Sequence, residues 1–202
     1  MNTKKTIAAL LVLICVVGFF FVCQKRNVSD FYEETIVLDC HYKRVVLQLA
    51  QRDTLEEIVA LNGGQVLAKN WNELDLDFKY TDHLLWNAEG SAWFVVEAND
   101  PHLDKDKLEF IQRIHATQNK MTIKTELLRP VGKLQERTTT LHLSKFGNKT
   151  RLTIRSRLSV SQRCPKEWQH CVQEIVTDTN RQSTKNTAAY IKKLTESLVF
   201  QK

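Results

Sequence analysis

Arg137-Thr-Thr-Thr-Leu-His-Leu-Ser-Lys-Phe-Gly147-Asn148-Lys-Thr-Arg-Leu-Thr-Ile-Arg-Ser-Arg-Leu158 reads as a β-hairpin. Gly147-Asn148 is a residue pair that tolerates positive φ, which a two-residue hairpin turn needs. If the loop is only those two residues, Leu143 faces Leu152 and Leu141 faces Ile154. The next pairs on that face are Thr139 with Ser156 and Arg137 with Leu158. The other face carries Ser144 with Arg151, His142 with Thr153 and Thr140 with Arg155. One face is therefore apolar near the turn and polar farther along. Such a face can pack a helix at one end and line a wet or ligand-filled space at the other. The plainer reading makes Thr139 and Ser156 hydroxyls near an open edge.

Working outward, Lys166 to Val199 contains no Gly or Pro and reads as a long closing helix. Trp168, Val172, Ile175 and Val176 make an apolar stripe that resumes at Tyr190, Ile191, Leu194 and Leu198. Between them the same face holds Thr179, Ser183 and Thr187, so the stripe softens where the hairpin face does. Upstream, Thr35 to Leu38 is β-rich, and Tyr42 to Ala50 has helical spacing. A second helix starts at Thr54, placed to form a capping box with Glu57, and stops at Gly63-Gly64. From Gln65 the period becomes two, with Leu74, Leu76 and Phe78 opposite Glu73, Asp75, Asp77 and Lys79. Ala92 to Glu97 reads as another strand after a Gly90 turn. Asp100 to Ala116 fits a helix and a strand equally loosely.

Strand, two short helices, antiparallel strands and a long last helix form an order that resembles the START-like, or SRPBCC, superfamily. The resemblance lies in Gly132-Lys133-Leu134-Gln135 and in Gly147 to Ile154, similar to the polyketide cyclase-like branch. It covers Glu33 to Phe200 and implies an α+β helix-grip fold, a curved antiparallel sheet wrapped around a long C-terminal helix. It also implies a cavity for a hydrophobic or amphipathic small molecule, and it brings no catalytic residue. On this basis Arg137, Thr139, Leu141, Ile154, Ser156, Leu158, Thr179 and Ser183 are the expected cavity lining.

The chain begins differently from that superfamily. Ile7 to Cys23 is an unbroken apolar run between Lys4/Lys5 and Lys25/Arg26. About 17 residues at ~1.5 Å rise make a helix of roughly 26 Å, near the short end of what crosses a hydrocarbon core of about 30 Å. A cleaved signal wants small residues before the cut, whereas Phe19-Phe20-Phe21-Val22 is bulky. The expected organisation is a transmembrane anchor over 1–26, a tether over 27–32 and a START-like domain over 33–202. The bilayer is thus an expected partner, beside a hydrophobic small molecule.

Charge narrows the classes further. The net charge of +6 comes from 29 basic and 23 acidic residues. Four of the basic ones flank the apolar run, leaving 25 against 23, or +2, from Asn27 onward. With no basic block, nucleic acid is not an expected partner. His41, His83, His102, His115, His142 and His170 show no zinc-hydrolase spacing, and Cys164, His170 and Cys171 lack a fourth ligand. No metal, cofactor or catalytic set is expected. Cys164 and Cys171 are a disulfide candidate, or simply small apolar residues. A bridge would imply a periplasmic or extracellular domain, the side favoured here. The alternative to ligand binding is a cell-envelope adaptor that engages a protein partner through its outer surface.

Overall fold

The computed structural model describes residues 23–49, 54–80, 84–98 and 107–199. They form a seven-stranded antiparallel sheet and three α-helices: β1 Gln24–Leu38, α1 Tyr42–Leu49, α2 Thr54–Leu61, β2 Gly64–Tyr80, β3 Leu84–Ala98, β4 Lys107–Thr117, β5 Lys120–Leu127, β6 Leu134–Phe146, β7 Lys149–Cys164 and α3 Gln169–Val199. The sheet order is β1-β7-β6-β5-β4-β3-β2. Strands β2 to β7 follow one another as a meander, and the first strand closes onto the last. This curved sheet with a long helix is the α+β arrangement that the element order implies.

The hairpin over Arg137 to Leu158 has the register that its glycine turn predicts. Leu143 pairs with Leu152, Leu141 with Ile154, Thr139 with Ser156 and Arg137 with Leu158. Gly147 has φ of 62°, and Asn148 stays at negative φ, the type II′ pattern with glycine first. The register shifts only between Leu134 and Glu136.

Helix α3 turns a narrower face inward than its apolar residues suggest. Val176, Asn180, Thr184, Thr187, Ile191 and Thr195 are buried at helical spacing. Trp168 and Ile175, expected in the stripe, are 65% and 45% exposed. The helix is phased by polar anchors to β1. Thr177 Oγ1 donates to Asp30 Oδ1 at 3.1 Å, and Asn180 Nδ2 donates to Asp30 Oδ2 at 2.8 Å and to the Ser156 carbonyl at 3.3 Å. A buried asparagine needs such partners, so its position is fixed and the apolar residues on other faces are left outside.

Several expectations change. Residues 27–32, read as a tether, lie inside β1, where Asn27 to Tyr32 pair with Ser161 to Ser156. Gly90 is not a turn: it sits within β3, paired to Leu74 and Ile114. The described part of 100–116 is strand β4, with Leu108, Phe110 and Gln112 buried in alternation. Thr54 and Glu57 take partners other than each other. Thr54 Oγ1 donates to the Gln48 carbonyl at 3.1 Å, and the Glu57 carboxylate accepts from the Tyr190 hydroxyl. Gly63 does end α2, at φ of 76°. Among the described residues no helix is long and apolar enough to cross a membrane. Of the anchor expected over 1–26, residues 1–22 lie outside them, and Gln24 to Arg26 belong to β1, paired with Cys164 to Gln162.

Two packed clusters flank the middle of the fold. One, near the hairpin turn, joins Leu38, Tyr42, Val45, Ile123, Leu143, Leu152, Ile154 and Ile191. The other joins Val28, Phe94, Phe110, Leu134, Leu158 and Val176 at the opposite end of the strands.

Candidate functional site

Between those clusters the interior is hollow. A cavity of about 690 Å³ lies between the sheet and all three helices, within the range of small-molecule sites. Its roof comes from α1 (Val46, Leu49) and α2 (Leu55, Ile58, Asn62). Its floor comes from β3 to β7, including Phe94, Phe110, Ile114, Ile123, Thr139 and Ser156. Ser183, Thr184 and Thr187 of α3 form one wall.

Short side chains explain the hollow. Where α3 crosses this part of the sheet it presents Ser183, Thr184 and Thr187, and the strands answer with Thr125, Thr139 and Ser156. Neither side reaches far enough to fill the gap. Several of these polar groups are already engaged. Thr184 Oγ1 donates to the Asn180 carbonyl and Thr187 Oγ1 to the Ser183 carbonyl, both at 2.9 Å, the back-bonding of threonine along a helix. Arg137 Nη2 donates to Ser183 Oγ at 3.3 Å, and Gln112 Nε2 to Thr125 Oγ1 at 3.2 Å. Asn62 Nδ2 donates to the Ile58 carbonyl at 2.9 Å and to Thr187 Oγ1 at 3.4 Å. Polar atoms bonded to one another make little demand on a ligand, so the space suits a mainly apolar occupant.

The cavity reaches the surface between α1 and the edge strand β2. Leu47 of α1 and Trp71 of β2 line it and are exposed. Lys69 Nζ lies 5.4 Å from the centre of the Trp71 ring, within cation–π range. Two irregularities in the β2–β3 register, at Val66/Ala68 and Trp71/Glu73, bracket this part of the strand. Bulges of that kind bend and twist a strand.

Of the expected lining, Arg137, Thr139, Leu141, Ser156 and Ser183 come together around the cavity. Ile154 and Leu158 do not line it: they pack into the two flanking clusters. Thr179 is half-buried on α3 away from the cavity. The residues that sequence reasoning missed come from α1, α2 and β3 to β5. Their signal was the alternation of Phe94 with Val96, Leu108 with Phe110, and Met121 with Ile123.

Chemically active groups are sparse around this space. Among the described lining residues the ionisable side chains are Lys69 and Arg137. Among the described residues no three His, Cys, Asp or Glu side chains converge as metal ligands. Cys164 and Cys171 are free thiols, the first buried and the second exposed. The candidate bridge is not formed: Cys164 packs inward at the end of β7 while Cys171 is exposed on α3. His170 beside them pairs with Glu174 at 3.4 Å. His142 on β6 contacts Thr122 Oγ1 at 3.1 Å, and its pKa is lowered by burial and then by the Arg155 charge.

No protein-family model matches the chain, and no curated protein matches its sequence. Solved structures do match its shape. The Zhui aromatase/cyclase from a Streptomyces species superposes with a TM-score of 0.54 at 9% identity, covering 86% of this chain and 97% of that one. The di-domain aromatase/cyclase StfQ of the steffimycin biosynthetic pathway gives 0.50 at 10% identity, covering 85% of this chain and 52% of that one. A STAR-related lipid transfer protein from Xanthomonas axonopodis, at 0.47 and 14% identity over 80% of this chain and 85% of its own, is too loose a likeness to argue from. Identities this low speak for the fold alone. By that fold the chain is a helix-grip domain, a curved antiparallel sheet against a long C-terminal helix with a hollow between them.

Proposed function

We propose that this protein is a membrane-anchored START-like domain that binds a lipid or other hydrophobic small molecule in its cavity. The observation that carries the reading is the space of about 690 Å³, walled mostly by apolar side chains and by polar groups bonded to one another. Natural interiors are packed nearly as densely as organic crystals, so a void of this size asks for an occupant. The helix-grip fold it shares with aromatase/cyclases supports a site for an apolar molecule. The lining favours binding over chemistry, since it offers no acid beside a base. Ile7 to Cys23 supports the anchor by length and composition.

Extraction of the purified full chain with organic solvent, followed by mass spectrometry, tests the binding. One class of apolar molecule should co-purify in near-equal amount, and a fluorescent fatty-acyl probe should bind saturably and be displaced by it. Neither co-purification nor saturable probe binding would sink the proposal. The domain is proposed to lie on the periplasmic or extracellular side, although free Cys164 and Cys171 lend that side no support. Exposed Cys171 is a natural reporter. A membrane-impermeant maleimide should label it on intact cells and fail to label Cys171→Ser; labelling only after lysis would move the domain inside.

A further inference from the structure

The end of the sheet that receives the chain from the apolar run also collects cations. Gln24, next after Cys23, is already paired in β1, and Lys25 is the register partner of Arg163 on β7. Two like charges directly opposite one another repel unless an anion answers them. Lys133 sits at the same end, where its carbonyl accepts the Ser161 amide, and Lys166 follows Cys164 by two residues. All four side chains are exposed, and none forms an ion pair with a described acid. Glu136 and Glu174 are engaged with Arg157 and His170, and Glu167 on the turn before α3 is exposed. Arg26 is held here as well: its Nη1 donates to Gln169 Oε1 at 3.4 Å, while its buried Nε has no partner. Beside them Trp168 is 65% exposed on the short 3-10 turn before α3.

Distance decides what this end meets. Two residues of extended chain span at most about 7 Å, so Lys25 stands within that reach of Cys23, and Arg163 is its register partner on the adjacent strand. With no tether between, an apolar run seated in a bilayer holds this end of the domain at headgroup level. Basic side chains next to a membrane span attract acidic headgroups, and tryptophan favours the boundary between acyl chains and water.

We infer that the sheet end formed by Lys25, Lys133, Arg163, Lys166 and Trp168 is a docking surface for anionic phospholipid headgroups. It rests on the anchor reading above and adds that the domain is seated on the bilayer instead of swinging from it. The cations hold phosphates, and the indole of Trp168 enters the interface between them.

The test uses the full chain reconstituted into vesicles of phosphatidylcholine alone or mixed with phosphatidylglycerol, with bromine-labelled acyl chains as quenchers. Subtracting the signal of Trp168→Phe isolates that tryptophan. Its fluorescence should be quenched in the phosphatidylglycerol vesicles and released by high salt. Quenching should fall to the phosphatidylcholine level in the combined Lys133→Glu, Arg163→Glu, Lys166→Glu variant, whose changes are all at exposed positions. Release of the chain by alkaline carbonate would overturn the anchor, and the docking surface with it. A chain that resists carbonate while Trp168 is quenched equally in both vesicle types, or in neither, would leave the anchor standing and overturn the docking surface. The salt arm needs no charge variant, and Trp168→Phe alters only an exposed side chain, so misfolding does not mask the result.

Discussion

Leu143 and Thr139 lie four residues apart on β6 and on the same face, yet they serve opposite kinds of interior. Around Leu143, Leu152 and Ile154 the space between sheet and α3 is closed by Val45 and Ile191, and the core is solid. Around Thr139 and Ser156 the same strands meet the same helix at Ser183 and Thr184, and the core is empty. Backbone geometry changes little between the two regions. Side-chain length is what changes, together with hydroxyls that bond to their own backbone. This interior is thus a packed core in which one layer of residues is too short.

The contrast predicts unequal costs. Ile154→Ala, at a fully buried site of the packed region, should lose about 2–5 kcal/mol in denaturant unfolding, because the cavity it opens is filled by nothing. If it loses much less, the packed region is looser than its burial indicates. Thr139→Leu should do the reverse. Its extra carbons enter existing space, so stability should move by less than about 1 kcal/mol, while affinity for a fatty-acyl probe should fall about tenfold, or ~1.4 kcal/mol. A variant that loses stability but keeps the probe would place the ligand elsewhere.

Tyr42 probes the edge of the packed region. Its hydroxyl donates to the Thr117 carbonyl at 2.9 Å, and burial pushes its pKa from 10.0 up to about 12. Tyr42→Phe should cost about 1 kcal/mol at neutral pH. The folded phenol holds its proton longer than the unfolded one, so its contribution is complete below pH 10 and is lost as pH rises toward 12. The gap between wild type and variant should therefore narrow over that alkaline window, which unfolding at several pH values will show. Smallest of all, Arg113→Ala removes an exposed partner of Glu126, which also bonds Lys124. The expected change is below about 0.5 kcal/mol, and neither interior region should respond.

How far the sequence could be read depended on how local the deciding physics was. The hairpin register was legible because a two-residue glycine turn fixes it, and the closing helix because nothing interrupts Lys166 to Val199. Thr139, Ser156 and Ser183 were legible as a polar break in two facing apolar patterns. Strand β1 was hidden because Gln24 to Tyr32 is polar, as an edge strand with little more than Val28 buried can be. Strand β4 was ambiguous because Gln112, which faces inward, bonds Thr125 on the neighbouring strand. Strand β5 went unread although Met121 and Ile123 alternate correctly. Ile154 and Leu158 were assigned to the cavity by face alone. Which residues on a shared face meet a partner is settled by the phase of α3, and that phase is set by Asn180 and Asp30, 150 positions apart.

The closure of β1 onto β7 also orders events in time. β1 leaves the ribosome first of the described strands, yet every pairing it makes is with residues more than a hundred positions later. At ordinary synthesis rates that interval is on the order of ten seconds. Through it β1 is a bare strand with Phe31 and Val37 on it and hydrogen-bonding groups unspent, the condition under which chains pair with the wrong neighbour. A nascent chain already held in the bilayer by its first residues would wait out that interval apart from other copies of itself.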